Sequence, residues 1–273
     1  MPKQIDQIAK LRGWFRPKDD SNFYRTVQDY VNGETDLDAA IAIITQPIDR
    51  AISLNNLDKV DLMDLWYSVL HSSKRIPYDN LETHTKLVNL VKALQQHSEP
   101  TAIDDQSIYA SLSGLSMAER EVYNDGPSHE KSSSRIEVYA WANYNYFLAR
   151  LASAGIGDQW IFAIWSMRQA LEITPDGNAS DWYDTYIPAA ATWVFGLGEK
   201  LYEKEQNLTP KNRNEGNPAK GGDLWKGGSV FSNERYAFWR KRFGEVRELD
   251  GLMEETKNVA TLAKESMVHT QSS

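Results

Sequence analysis

Apolar residues recur along this chain at intervals of three and four, while sustained alternation of β-branched residues is absent, so the pattern predicts helix after helix. A first helix is expected near residues 3–15, ending before Pro17. Ser21 caps a second, with Phe23, Val27, Tyr30 and Val31 on one face and Gly33 closing it. A third starts at Thr35 and carries Leu37, Ala40, Ile41, Ile44 and Ile48 past Pro47, where a kink or split is expected. Further stripes run over 57–75 and 80–97. His84 lies on the apolar side of the latter, as a core histidine bonded to a backbone carbonyl would.

Ser116 and Glu119 have capping-box spacing and predict a helix from Met117. The polar stretch 124–134, with Gly126 and Pro127, reads as a loop or subdomain joint. Beyond it, a helix over 134–154 places Trp141 and Asn145 on its apolar side, where the amide needs a hydrogen-bond partner. Residues 159–173 are apolar nearly all round and predict the central helix. Another is expected from Asp184, with Pro188 in its first turn and small residues at 189–191, 196 and 198 permitting close approach. Phe231, Ser232 and Tyr236 suit a stapled helix start. The resulting expectation is a single all-α domain over 1–267, about ten helices around a hydrophobic one, with a long Gly/Pro-rich loop at 206–230 and a disordered tail at 268–273.

Composition changes this picture little. With 41% hydrophobic and 25% charged residues the chain is an ordinary globular mixture, and nine Trp, thirteen Tyr and eight Phe supply a large core. It has no cysteine, hence no disulfide or thiolate chemistry. The opening MPKQIDQIAK lacks an apolar signal region, and the nearly apolar run at 186–198 is short of the roughly 20 residues that cross a bilayer. A cytoplasmic protein without membrane contact is expected. A net charge of −8 argues against nucleic acid as a partner. Between Lys211 and Arg247, however, nine Lys or Arg face four Asp or Glu. This patch suits an anionic ligand or the acidic face of a second copy, as in a homodimer; its plainer reading is a solvated helix face and mobile loop.

The tempting motifs fail on inspection. GDLWKGGS at 222–229 nearly fits a phosphate-binding loop, but Gly228 stands where the lysine must be and no strand precedes it. Gly196-Leu197-Gly198 lacks the third glycine of a dinucleotide fingerprint, because Leu201 replaces it. Asp19-Asp20, Asp104-Asp105 and Asn124-Asp125 each lack the acid that would complete a magnesium site, and the histidines at 71, 84, 97, 129 and 269 share no metal spacing. Neither a metal nor a cofactor is expected. What remains is aromatic and cationic: Trp141, Asn145, Trp165, Tyr186, Trp193, Trp225 and Lys226 are the expected lining of a small-molecule pocket. Asn145, Arg168 and Lys226 are the candidates for polarising a carbonyl. Trp225, between two glycine pairs, is expected to insert between helices with Lys226 at the rim.

Several segments together carry a resemblance: Leu65-Trp66, FLARL at 147–151, FAIWSMRQALE at 162–172, PAAATWVFGLGEKLY at 188–202, and GGDLWKGG followed by FSNERYAFWRKRF. Over about residues 60–245 the chain resembles a fungal family catalogued only as a domain of unknown function. The resemblance implies an intracellular fungal protein, with some relatives found beside natural-product genes, and it implies no catalytic residues. Two functions fit. One is a binder of an apolar or aromatic small molecule in fungal secondary metabolism, acting as a cofactor-independent isomerase or cyclase by positioning and electrostatics. The other is a non-enzymatic helical interaction or scaffold protein.

Overall fold

A computed structural model describes residues 1–100, 107–131 and 133–272; the Asp104-Asp105 pair lies outside the described residues. Among the described residues the protein is all-α, with twelve α-helices and one antiparallel pair of two-residue strands. The chain gathers into two compact units, Met1–Gly126 and Pro127–Ser273, and the change-over falls within the polar 124–134 segment.

The first unit holds α1 (Pro2–Arg12), α2 (Asn22–Val31), α3 (Leu37–Ser53), α4 (Leu62–Arg75), α5 (Leu81–Gln96) and α6 (Leu115–Tyr123). Local chemistry sets most of its helix ends. Ser21 Oγ accepts from Tyr24 N at 3.0 Å, Asp36 Oδ1 from Ala39 N at 2.8 Å, and Asn80 Oδ1 from Thr83 N at 3.1 Å. α1 stops earlier than its apolar spacing suggests because Gly13 turns left-handed at φ 67°. α3 runs through Pro47 unbroken: Pro47 and Ile43, four residues earlier, both face solvent, so the carbonyl that proline leaves unpaired is open to water. His84 is buried and bonds the Ile76 carbonyl at 3.1 Å, the core role its position predicts.

The capping box expected at Ser116 does not form. α6 starts one residue before Ser116, behind Gly114 at φ 88°, whose Cα sits against Trp66; the Trp66 indole N–H donates to the Ser113 carbonyl at 2.7 Å. The turn is therefore fixed by a tryptophan 47 residues away and not by the local box. α4 also buries an ion pair. The Lys74 ammonium lies 3.1 Å from Asp125 and 4.2 Å above the Trp14 ring, and Asp125 also accepts the Phe15 N–H. Burial lowers the Lys74 pKa and raises that of Asp125.

The second unit comprises α7 (Arg135–Ala154), α8 (Trp160–Met167), α9 (Ala179–Leu197), α10 (Glu199–Glu203), α11 (Asn233–Val246) and α12 (Glu254–Ser272). Here a capping box does form: Ser134 Oγ accepts from Glu137 N, and the Glu137 carboxylate accepts from Ser134 N at 2.7 Å. α9 starts at Ala179, capped by Asn178, five residues before the expected Asp184, which leaves Pro188 in the helix interior. The hub is α9, against which α7, α8, α10 and α12 pack. α8, expected at the centre, leaves Trp160, Ile161 and Trp165 partly exposed. α7 and α9 approach closely at Gly196, where an added Cβ would sit 2.5 Å from that of Ala149. α12 continues through Val268 to Ser272, where the polar composition predicts a disordered tail.

Candidate functional site

α8 does not end in an ordinary last turn. It passes into a single π turn, Arg168–Glu172, and this widened turn delivers Glu172 inward, fully buried. Facing it is Arg235 from the first turn of α11, equally buried. The pair is bidentate, Nε to Oε1 at 2.7 Å and Nη2 to Oε2 at 2.9 Å. Each carboxylate oxygen takes a second donor: Trp239 Nε1 reaches Oε1 at 2.6 Å, and the Gly222 N–H reaches Oε2 at 3.1 Å. Arg235 Nη1 in turn donates to the carbonyls of Ala219 at 3.2 Å and Val230 at 2.9 Å.

The loop 206–230 is thereby turned into a strap. Its neck is closed by β1 (Gln206–Asn207) pairing with β2 (Val230–Phe231), and its far end is fastened by Glu172. Leu224 N donates to the Glu172 carbonyl at 2.8 Å, and Asp223 accepts the Thr174 N–H at 2.8 Å. Trp165 Nε1 and Arg168 Nη1 both donate to the Pro218 carbonyl, and Arg168 also to that of Lys220. The strap's glycines follow from this closeness. A Cβ on Gly222 would lie 2.2 Å from the Glu172 carbonyl oxygen, while Gly221 and Gly227 sit against the indole of Trp225.

Trp225 is not inserted between helices. It is partly exposed; its Nε1 donates to Gly228 within the strap, and its ring leans on Phe238 and on the guanidinium of Arg235. Lys226 is exposed and donates to the Asp223 carbonyl. Because the ring is only partly covered, Trp225→Ala should cost about 1–2 kcal/mol in urea denaturation, less than a fully buried aromatic would.

Three other expected lining residues meet in the core. Asn145 on α7 is fully buried, and its Oδ1 accepts from Trp193 Nε1 and from Ser166 Oγ, both at 2.8 Å. Its Nδ2 donates to the Trp141 carbonyl at 2.9 Å. One side chain thus joins α7, α8 and α9.

Tyr186 lies elsewhere. With Trp182 one turn before it on α9, it faces His129 from the short turn His129–Lys131. The His129 ring lies 4.6 Å from Trp182, and its Nδ1 is 3.2 Å from the Tyr186 hydroxyl. Trp182 is buried and donates to the Gln169 carbonyl at 3.0 Å, whereas His129 and Tyr186 stay partly exposed. Burial raises the Tyr186 pKa, so the phenol holds its proton at neutral pH.

A family model described as "Protein of unknown function (DUF3632)" matches residues 66–243, more than half of the chain. The chain belongs to this family. No curated protein and no solved structure matches it. The DUF3632 match includes Glu172, Arg235, Asn145, Trp193, His129 and Tyr186, and ends at Phe243 in α11. Among the described residues no group of three or more His, Asp or Glu side chains could hold a metal ion, and no helix is long and apolar enough to cross a membrane.

The expected lining of one pocket is therefore distributed over three places in this DUF3632 chain: Trp141, Asn145 and Trp193 in the core; Trp165, Arg168, Trp225 and Lys226 at the strap; Tyr186 beside His129. Spacing does not reveal Glu172, Arg235 or His129 as members of these groups. His129 stands out in sequence only through the polar loop that carries it, and Glu172 only as a carboxylate closing an apolar run. The basic excess of the 211–247 segment is partly internal, since Arg235 is neutralised by Glu172 and Arg242 pairs with Glu245.

Proposed function

We propose that this protein binds an apolar or aromatic small molecule and acts on it without a cofactor, with His129, Tyr186 and Trp182 as the working group. The observation that carries this reading is the histidine and phenol in hydrogen-bond contact, partly exposed, on an aromatic wall. Such a pair can pass a proton between two positions of one substrate: the phenol gives one proton, the imidazole takes another at Nε2, the Nδ1 proton then passes to the phenolate, and exchange of the Nε2 proton with solvent restores the starting tautomer. That is the chemistry an isomerisation or cyclisation requires.

A specific observation favours the second reading, a non-enzymatic helical interaction protein. Asn145, Arg168 and Lys226 already donate to carbonyls of the chain itself, and Asn145 also accepts from Trp193 and Ser166. Native mass spectrometry after incubation with a small-molecule extract separates the two. The wild type should retain an added mass that Tyr186→Phe and His129→Gln release, while both variants keep wild-type thermal stability within about 0.5 kcal/mol. An added mass retained equally by all three proteins, or by none, would remove the acid–base site and leave the interaction reading.

A further inference from the structure

α3 turns toward solvent a face of the kind that helices ordinarily keep for a core. Of the seventeen residues Leu37–Ser53, only Asp38, Asp49 and Arg50 are charged. Ile44, Ile48 and Ile52 are buried on the inner side. The outer side carries Ala39, Ala42, Ile43, Gln46 and Pro47, all exposed, with Ile43 at 52%. A helix that is apolar on both sides is normally covered on both. This face lies outside the matched residues 66–243 and shares no residue with the His129 group.

The charges at its two ends indicate what fits it. At the amino end stand Glu34, Asp36 and Asp38, all exposed. Capping of Ala39 N engages only Oδ1 of Asp36. At the carboxyl end Asp49 is taken up by His97 Nε2 at 2.9 Å and by the Tyr109 hydroxyl at 2.7 Å. Arg50, by contrast, is exposed and has no ion-pair partner among the described residues. Asp36 and Arg50 each lie seven residues from Ile43. Two helical turns return to within about 20° of the same direction, so acid, isoleucine and base share one line along the helix. Ala39 and Pro47, four residues to either side of Ile43, lie on that line as well.

Such a face is its own complement. A second α3 laid antiparallel about Ile43 sets Asp36 against Arg50 at both ends, Ala39 against Pro47, and Ile43 against Ile43. The two helix dipoles then oppose as well. A parallel copy would instead set acid against acid and base against base. Ala39 and Ala42 are small, so the two axes can approach closely. Alanine opposite Pro47 also leaves room for a water on the Ile43 carbonyl that the proline frees.

We infer that α3 is a self-association face, on which two copies of this chain pair α3 against α3, antiparallel about Ile43. A contact one helix wide is small for a permanent dimer, so the pair forms reversibly and at high protein concentration. The apolar line supplies the attraction, and the end charges set the register and direction.

Sedimentation equilibrium of the full chain tests the proposal. The weight-average mass should climb from 31.1 kDa toward twice that value between micromolar and near-millimolar protein. Ile43→Asp puts a charge on the two-fold axis and should stay monomeric. Arg50→Glu makes both end pairs repulsive and should weaken the dimer roughly tenfold. Both side chains are exposed, so each variant should melt with the wild type in dilute solution. The chain has no cysteine, which allows a positional check. Ile43→Cys brings two thiols together across the axis, and a mild oxidant should link them into dimers much faster than it links Met117→Cys, an exposed position on α6. A chain that stays monomeric at every concentration would leave the face to another protein and overturn the proposal. A dimer indifferent to Ile43→Asp or Arg50→Glu, or equal cross-linking at the two cysteine positions, would overturn it too.

Discussion

Arg235→Met should destabilise the protein by about 3–5 kcal/mol in urea denaturation, because it strands the fully buried Glu172 carboxylate without its countercharge. Glu172→Gln should be milder. The amide keeps an oxygen for one set of donors but presents N–H groups to the other, and the guanidinium loses its countercharge. The double variant Glu172→Met/Arg235→Met separates the charge contribution from the fastening. If the ion pair were an isolated buried bridge, replacing both partners by apolar groups would restore most of the stability. Here it should not. Trp239 Nε1, the Gly222 N–H, and the carbonyls of Ala219 and Val230 all lose these partners together, and the buried ones, Trp239 Nε1 and the Ala219 carbonyl, cost about 1–3 kcal/mol each. The double variant should therefore remain clearly below wild type, and limited proteolysis should cut it within 206–230 while wild-type protein resists. A double variant as stable as wild type would mean that the strap is held by its β neck alone.

This knot also marks where sequence reading stops. Helix boundaries with a local cause, such as Ser21 at the start of α2, are legible because cap and helix are three residues apart. Glu172 and Arg235 are 63 residues apart, and nothing near either predicts the other. The glycines at 221, 222 and 227 announce an unusual backbone, but whether they serve a phosphate, a hinge or a close approach depends on what lies opposite. Opposite them are the Glu172 carbonyl and the Trp225 ring. The Ser116 box fails for a related reason, since Trp66 and Gly114 settle the turn before the serine can. Asn145 is the instructive intermediate case. Its place on an apolar face requires a partner, and the sequence alone leaves helix tie and pocket group equally open.

That choice makes Asn145 and Trp193 the most informative pair to alter. Trp193 is the largest fully buried side chain of the hub helix, so Trp193→Ala should cost about 3–5 kcal/mol through lost contacts and the cavity left behind. Trp193→Phe keeps much of the packing and removes only the N–H; because Ser166 still donates to Asn145 Oδ1, its cost should be well under half of that. Asn145→Leu removes the acceptor itself. Trp193 Nε1 then retains the longer 3.2 Å contact to Ser166 Oγ, and the Ser166 bond to the amide is lost, for a loss of about 1–3 kcal/mol. The order Ala, then Leu, then Phe is specific to an amide that ties three helices, and thermal or urea denaturation reads it directly. An amide kept for a ligand would behave differently: Asn145→Leu would leave stability unchanged or raise it, since a buried amide without internal partners is better replaced by an apolar side chain. Stability alone, with no ligand in hand, therefore distinguishes the two roles.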